Sequence, residues 1–299
     1  MVRFSRLFRR MPAEVSEELR GWMWSDYPLV SSFSVRLGVS DVAGGFCSSG
    51  RFVYLKYVLK VKGEVSWRVE AGSFIHRVYS EAVRNVKSIL YSCDDLESCN
   101  LHEEFEARRL KVKNMLLNNL KVLNREVAAR IFDRLWDYAR DTYSSTLQKV
   151  KTISPYLNVD GAVSLITPLI TEYPVDGTLI GLTKAIRVDA LLPPSTIVEI
   201  KTRELKPEYK VGLAAYALAF ESQYEIPVNY AVLVNVRFNK DYTSFKVYEK
   251  PVLISDSLRQ EFIDKRDQLA RIVEEELDPG KPEKCDPECP YIKYCRGEV

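Results

Sequence analysis

Three groupings in this 299-residue chain have residue types and spacings suited to chemistry. In the first, Asp189 precedes the Pro193-Pro194 turn and the run Ile197-Val198-Glu199-Ile200-Lys201 follows it. Alternate side chains of an extended strand share a face, so Glu199 and Lys201 project together while Val198 and Ile200 enter the opposite apolar layer. If the turn pairs the two strands, Asp189 approaches that same face. Two carboxylates and an ammonium at one sheet edge suit metal-assisted hydrolysis of a phosphodiester. Mg²⁺ or Mn²⁺ prefers carboxylate oxygens and retained waters, and a nearby lysine can orient the attacking water. Glu-x-Lys also occurs at Glu204 to Lys206 and at Glu208 to Lys210, but only the Glu199 copy lies in a β-branched, apolar run. Burying either charge alone is expensive, so that face is solvated, paired or functional.

The second grouping is His76 with Gly72 four residues before it. Imidazole can complete a carboxylate metal site, and a helical glycine lets another backbone approach one turn before it. His102, the other histidine, has no such setting. The third is the tail CDPECPYIKYC, where Cys285, Cys289 and Cys295 fall within eleven residues and Pro287 and Pro290 interrupt regular structure. Clustered cysteines in an intracellular chain favour metal over a disulfide framework. Three thiolates call for a fourth ligand, and Cys47, beside Arg51 at the opening of a helix, is the choice. Cys93 and Cys99 are its rivals, or pair with one another. Four cysteines accommodate Zn²⁺ or an iron–sulfur cluster equally well.

Positioning these groups requires a helix over 67–91, strands over 171–175, 185–192 and 195–202, a helix following Pro207, strands over 229–238 and 244–248, and a charged helix over 255–277. A helix entered around Cys47 carries the first cysteine, and residues 16–20 form a short helical element. Residues 101–151 read as a helical insert of two long helices. The division is 1–66, an N-terminal region with the first cluster cysteine; 67–155, the His helix and insert; 156–254, a nuclease core; and 255–299, a C-terminal helix and cysteine tail. Strand, strand, helix, strand argues for a mixed α/β core.

Apolar residues at 46% and charged residues at 28% exclude a predominantly disordered chain. No apolar run reaches the length of a membrane span, and the basic start lacks a secretory signal's apolar stretch, so an intracellular, cytoplasmic protein is expected. Net charge is only +2, with 43 basic residues against 41 acidic ones, so distribution matters more than the sum.

With these residues assembled, the chain resembles the RecB-like, cluster-containing nucleases of the CRISPR adaptation module, in the PD-(D/E)xK superfamily, and within them the longer archaeal branch. The resemblance rests on GSFIH with His76, VDALL with Asp189, VEIK with Glu199 and Lys201, Tyr216 on the following helix, the one-plus-three cysteines, and SDVAGGFCSSGRFVYLKYV around Cys47. It implies a restriction-endonuclease-like mixed sheet flanked by helices. It implies that His76, Asp189, Glu199 and the Ile200 carbonyl bind a divalent metal, Lys201 assists the attacking water, and Tyr216 belongs to the site. It also implies a structural [4Fe-4S] cluster on Cys47, Cys285, Cys289 and Cys295, with Zn²⁺ as the alternative. The activity implied is cutting of DNA, often of single strands from an end, alongside the integrase proteins of spacer acquisition. Gly212 departs from the family, which commonly carries Gln four residues before the helical Tyr; the loss of that amide implies weaker activity or use of Lys210 in its place.

Two other functions fit the same residues: a weakly active or inactive DNA-binding scaffold subunit of the integration complex, and a helicase-linked repair nuclease. Outside the site, Arg108, Arg109, Lys111, Lys113 and Lys121 either track a phosphate backbone or form a solvated face interleaved with Glu103, Glu104 and Glu106; the solvated face is preferred. Trp22 and Trp24 are expected in the core rather than stacked on bases.

Overall fold

The computed structural model of the chain describes residues 8, 10, 11, 14–154 and 156–298. The basic residues 1–7 and the expected boundary at Pro155 lie outside these. Short 3₁₀ turns over Glu17–Leu19 and Gly21–Met23 lead to helix α1 (Val39–Ala43) and to α2 (Arg51–Val53), which a π turn continues over Tyr54–Val58. Cys47 therefore precedes the helix rather than opening it. Gly50, at φ +72°, makes the entry turn, a conformation that disfavours any side chain.

Helix α3 (Trp67–Ser92) carries His76, and its start is set by Ser66, whose hydroxyl accepts from the Val69 N–H. Phe74, Ile75, Val78, Ala82, Val86, Ile89 and Leu90 recur at three- and four-residue intervals and are buried. The insert is three helices rather than two: α4 (Leu101–Ala107), α5 (Arg109–Leu117) and α6 (Arg125–Ile153). Asn100 caps α4 and Asn124 caps α6, and it is this second cap that breaks the long charged pattern. A further helix, α7 (Val159–Ile166), capped by Asn158, had no counterpart in the sequence reading, because Gly161 and three β-branched residues lower its helical signal.

The sheet comprises β1 (Ile170–Val175), β2 (Ile186–Leu192), β3 (Thr196–Lys201), β4 (Tyr230–Phe238) and β5 (Phe245–Leu253), in that spatial order. All neighbours are antiparallel except β3 and β4, which run parallel from Ile197 opposite Ala231 to Lys201 opposite Asn235. Parallel neighbours need a crossover, and α8 (Tyr209–Tyr224) provides it. Residues from Val211 to Phe220 on α8 are buried nearly all round, Tyr216 being the half-buried exception, so the helix runs through the core. Each Leu, Val or Phe so buried stabilises by about 1.5–3 kcal/mol. Helix α9 (Asp256–Glu274) packs on α8, and the chain ends with α10 (Ile292–Arg296). This is the mixed, helix-flanked sheet expected.

Two large cores result. One gathers α1, α2, α8, α9 and the Cys295 end of the tail on one face of the sheet. The other fills the unit of α3 to α7 and reaches the opposite face through Ile200 and Val236. At the far end of α8, fully buried Glu221 accepts from Arg259 at 2.7 and 2.9 Å, from Arg20 at 3.0 Å, and from the Gly21 and Val228 N–H groups at 2.8 Å each. Arg259 also donates to the Leu19 and Val228 carbonyls, so both Glu221 oxygens and the guanidinium that meets them are satisfied.

Trp22 and Trp24 are not core residues: Trp22 lies at the surface under the Arg20 guanidinium, bonded to Glu17, and Trp24 is 39% exposed. The insert's Arg109 and Lys113 pair with Glu106 and, across to α6, with Asp133 and Asp137, at only 17% and 20% exposure, so these two neither track a phosphate backbone nor form the solvated face with Glu103 and Glu104 that was expected.

Candidate active site

Strands β2 and β3 pair only from Ala190 opposite Val198 to Leu192 opposite Thr196, then splay. The Ile200 N–H thus has no partner on β2, and the Asp189 carboxylate fills the gap, its Oδ2 accepting that N–H at 2.7 Å. The other oxygen, Oδ1, lies 2.8 Å from His76 Nδ1 on α3. Beside it, Lys201 Nζ donates to Glu199 Oε1 at 2.5 Å. Glu199 is 6% exposed, and its second oxygen, Oε2, is buried without any hydrogen-bond partner. The four predicted residues therefore meet, contributed by one helix and two strands.

Their protonation is interlocked. Burial raises the Glu199 carboxyl above its ordinary range, and the charge of Asp189 adds to this against the pull of Lys201 and His76. Burial opposes charge on His76, yet the hydrogen bond to Asp189 and the surrounding carboxylates outweigh it and raise its pKa. Lys201 behaves likewise: burial works against the ammonium, and Glu199 more than compensates. Tyr216 is raised well above normal by burial and by the charges of Glu199, Asp189 and Glu172, so it stays a neutral phenol beside the carboxylates.

Gly72 admits a close neighbour, but that neighbour is a side chain rather than the backbone expected. A Cβ there would lie 3.0 Å from Thr202 Oγ1, so the missing side chain is what lets α3 approach the end of β3. Gly212 differs, since a Cβ at 212 would meet Ala43 Cβ at 3.1 Å and then Val39; this position contacts α1.

Several residues of the site escaped the sequence reading. The Tyr209 ring lies 4.8 Å from Lys201 Nζ, as a cation–π partner. Buried Asn235 donates to the carbonyls of Lys201 and Arg203, fixing the chain where it leaves β3. Glu172 lies between the paired positions Thr171 and Tyr173, level with Asp189, at a left-handed φ of +52°. An open groove of about 610 Å³ holds His76 and Lys201, and Arg68, Arg77, Arg187 and Arg203 line it. Only the Glu-Tyr-Lys triplet pointed near Tyr209; the arginines come from separate elements and share no spacing.

The cysteine tail folds back on the Cys47 segment. Ser49 donates to the Gly280 carbonyl at 2.9 Å, Arg51 pairs with Asp278, and the Glu64 N–H reaches the Pro290 carbonyl at 2.9 Å. Cys47 and Cys289 pack against the same core as buried Cys295, to whose Sγ Arg51 donates at 3.7 Å; burial pushes the Cys289 thiol pKa up, and the Cys47, Cys295 and Cys285 thiols raise it further. All four are free, whereas Cys93 and Cys99 form a disulfide at the end of α3. Those two former rivals are thereby accounted for.

Among the described residues, no three His, Cys, Asp or Glu side chains close around a common point tightly enough to cage an ion as they stand. The donor chemistry nonetheless suits two groups. The partnerless Glu199 Oε2, with Asp189 and His76 adjacent, offers hard oxygens and an imidazole to a divalent cation. Four unpaired thiols offer soft ligands to zinc or iron. Among the described residues no helix is long and apolar enough to cross a membrane.

The family model described as CRISPR-associated exonuclease Csa1 matches residues 1–298. A protein of Saccharolobus solfataricus named CRISPR-associated exonuclease Csa1 is 35% identical over 298 residues, covering 99% of this chain and 97% of that protein. One of the same name from Thermoproteus tenax is 27% identical over 303 residues, covering 99% of each.

Proposed function

Because the chain belongs to the CRISPR-associated exonuclease Csa1 family, we propose that it is a divalent-metal-dependent deoxyribonuclease that degrades single-stranded DNA from an end, in the cytoplasm, to process DNA for spacer acquisition with the integrase proteins. The observation that carries the reading is the buried Glu199 carboxylate with one oxygen left without a partner, between Asp189, His76 and Lys201. His76, Asp189, Glu199 and the Ile200 carbonyl would hold Mg²⁺ or Mn²⁺. That ion would neutralise charge developing on the phosphate and make a bound water more acidic.

The remaining work falls to the chain's own groups. Lys201, held by Glu199 and backed by the Tyr209 ring, presents its ammonium to the attacking water and to the developing phosphorane charge. Tyr216, kept neutral, supplies a phenolic hydroxyl at the same spot. The groove arginines hold flanking phosphates, which orients the strand. Cys47, Cys285, Cys289 and Cys295 would hold a [4Fe-4S] cluster, with Zn²⁺ as the alternative; its part is structural, closing the tail on the N-terminal segment.

The test pairs two measurements. Purified protein with Mn²⁺ should degrade single-stranded DNA, and Glu199→Ala or Lys201→Ala should abolish this without loss of fold by circular dichroism. Unchanged cutting by both variants removes the site assignment, and DNA binding without cleavage under any divalent metal favours a binding subunit. Anaerobically purified protein should be brown with broad visible absorption; colourless protein containing zinc overturns the cluster.

A further inference from the structure

Glu288 stands in the cysteine tail, one residue before Cys289, and its carboxylate bridges two arginines from distant elements. Its Oε1 accepts from Arg68 Nη1, and its Oε2 accepts from Arg203 Nη1 at 2.7 Å. Arg68 is on the first turn of α3, about two turns before His76, and Arg203 is two residues past Lys201. Both line the groove that contains His76 and Lys201. The loop beneath Glu288 is itself fixed: Asp286 Oδ1 accepts the Glu288 N–H at 2.9 Å while Oδ2 takes Lys206 Nζ at 3.2 Å.

From this arrangement we infer that Glu288 is a positioning residue: it holds Arg68 and Arg203 as a two-guanidinium clamp for a backbone phosphate of the nucleic-acid strand, next to the one being cut. The inference rests on the groove being a DNA site. A guanidinium carries five N–H donors, and each arginine gives Glu288 only one Nη1 contact, so an edge of each remains for a phosphate. The arginine side chains are 55% and 39% exposed, against 27% for Glu288, so without the carboxylate Arg203 would be released to solvent and Arg68 would keep only the Trp67 ring, 5.1 Å from its guanidinium. Held in place, they lose less rotamer freedom when the strand arrives. Because Glu288 is carried by the loop between Cys285 and Cys289, the grip on substrate depends on the cysteine site being closed.

The opposite arrangement, a carboxylate competing with phosphate for two arginines, makes the contrary prediction, and DNA affinity decides between them. The full chain, purified with its cysteine site loaded, is titrated into fluorescein-labelled oligothymidylate without added Mg²⁺ or Mn²⁺, from about 50 to 200 mM salt. Arg68→Ala and Arg203→Ala should each lower the salt slope by about 0.7, so that wild-type affinity falls about 2.6-fold further than either variant's across this range. Glu288→Gln should weaken binding and flatten the slope even though it makes the groove more positive, and it should add nothing in the Arg68→Ala/Arg203→Ala background. Tighter binding by Glu288→Gln overturns the inference, as do unchanged slopes in the arginine variants. If Glu288→Gln sheds iron or zinc, Arg68→Lys/Arg203→Lys replaces it: charge is kept and the fork is lost, so affinity must drop, and equal affinity refutes the clamp. The readout is separate from catalysis. Predicted slopes in a protein that cuts nothing sink the nuclease reading alone, and cutting with unaltered arginine-variant slopes sinks the clamp alone.

Discussion

Replacing the buried Glu199–Lys201 pair by apolar residues should make the protein more stable and inactive together. Glu199 is 6% exposed, one of its oxygens is held by Lys201 at 2.5 Å, and the other has no partner. A buried unsatisfied acceptor costs about 1–3 kcal/mol, and exchanging a buried ion pair for hydrophobic residues of similar volume is neutral or stabilising by about 1–4 kcal/mol. With an unfolding entropy of about 2.1 cal/mol/K per residue over this length, each kcal/mol moves Tm by about 1.6 °C. Glu199→Leu/Lys201→Met should therefore melt up to about 6 °C above wild type in scanning calorimetry without added Mg²⁺ or Mn²⁺. Lys201→Met alone strands the carboxylate, costs about 3–5 kcal/mol and should melt about 5–8 °C lower. Neither variant should degrade DNA when Mn²⁺ is supplied. A double variant that melts below wild type, or that still cuts, refutes the claim that this pair is kept for chemistry at the expense of stability.

Other outcomes follow from single contacts. The Glu70 carboxylate accepts N–H bonds from Lys121, Val122 and Leu123, tying α3 to the loop before α6; burial works against its charge, but these bonds prevail and hold its pKa below 4.5. A depressed pKa contributes stability above the ordinary glutamate value and loses it as pH falls through the folded one. Glu70→Gln should thus lower Tm at neutral pH, at a cost of about 1–3 kcal/mol, and the gap to wild type should close below pH 4.5 in a melting series. Gly72→Ala gains helix propensity but presses on Thr202 Oγ1, so Tm should stay within about 2 °C of wild type while DNA cleavage slows several-fold, and Thr202→Ala should restore the rate. Cys47→Ser should reduce bound iron or zinc and destabilise the chain, as read by metal analysis and melting; full metal retention removes Cys47 from the ligand set.

What the sequence disclosed followed from period and spacing. The alternation around Glu199 and Lys201, the β-branched runs and the stripe of α3 each carry a local signal, and the strands, the His helix and the meeting of four side chains came out as expected. Boundaries set by single polar side chains were less visible: Asn124 splits the insert, and Asn158 starts α7 where glycine and β-branched residues suggested none. The groove was illegible because its arginines come from α3, β2 and the segment after β3, and only the folded sheet brings them together. The same holds for Glu288, which reads as a spacer between cysteines until Arg68 and Arg203 arrive.

The knot at Glu221 has a consequence for synthesis. Arg259 and the Leu19 carbonyl are 240 residues apart in sequence, so the last partner of that carboxylate leaves the ribosome only after most of the polypeptide has been translated. A product of early termination would bring a charged group into its interior with no guanidinium to receive it from α9. A chain ending before Arg259 should therefore stay open and be cut readily in limited proteolysis, whereas the full chain resists.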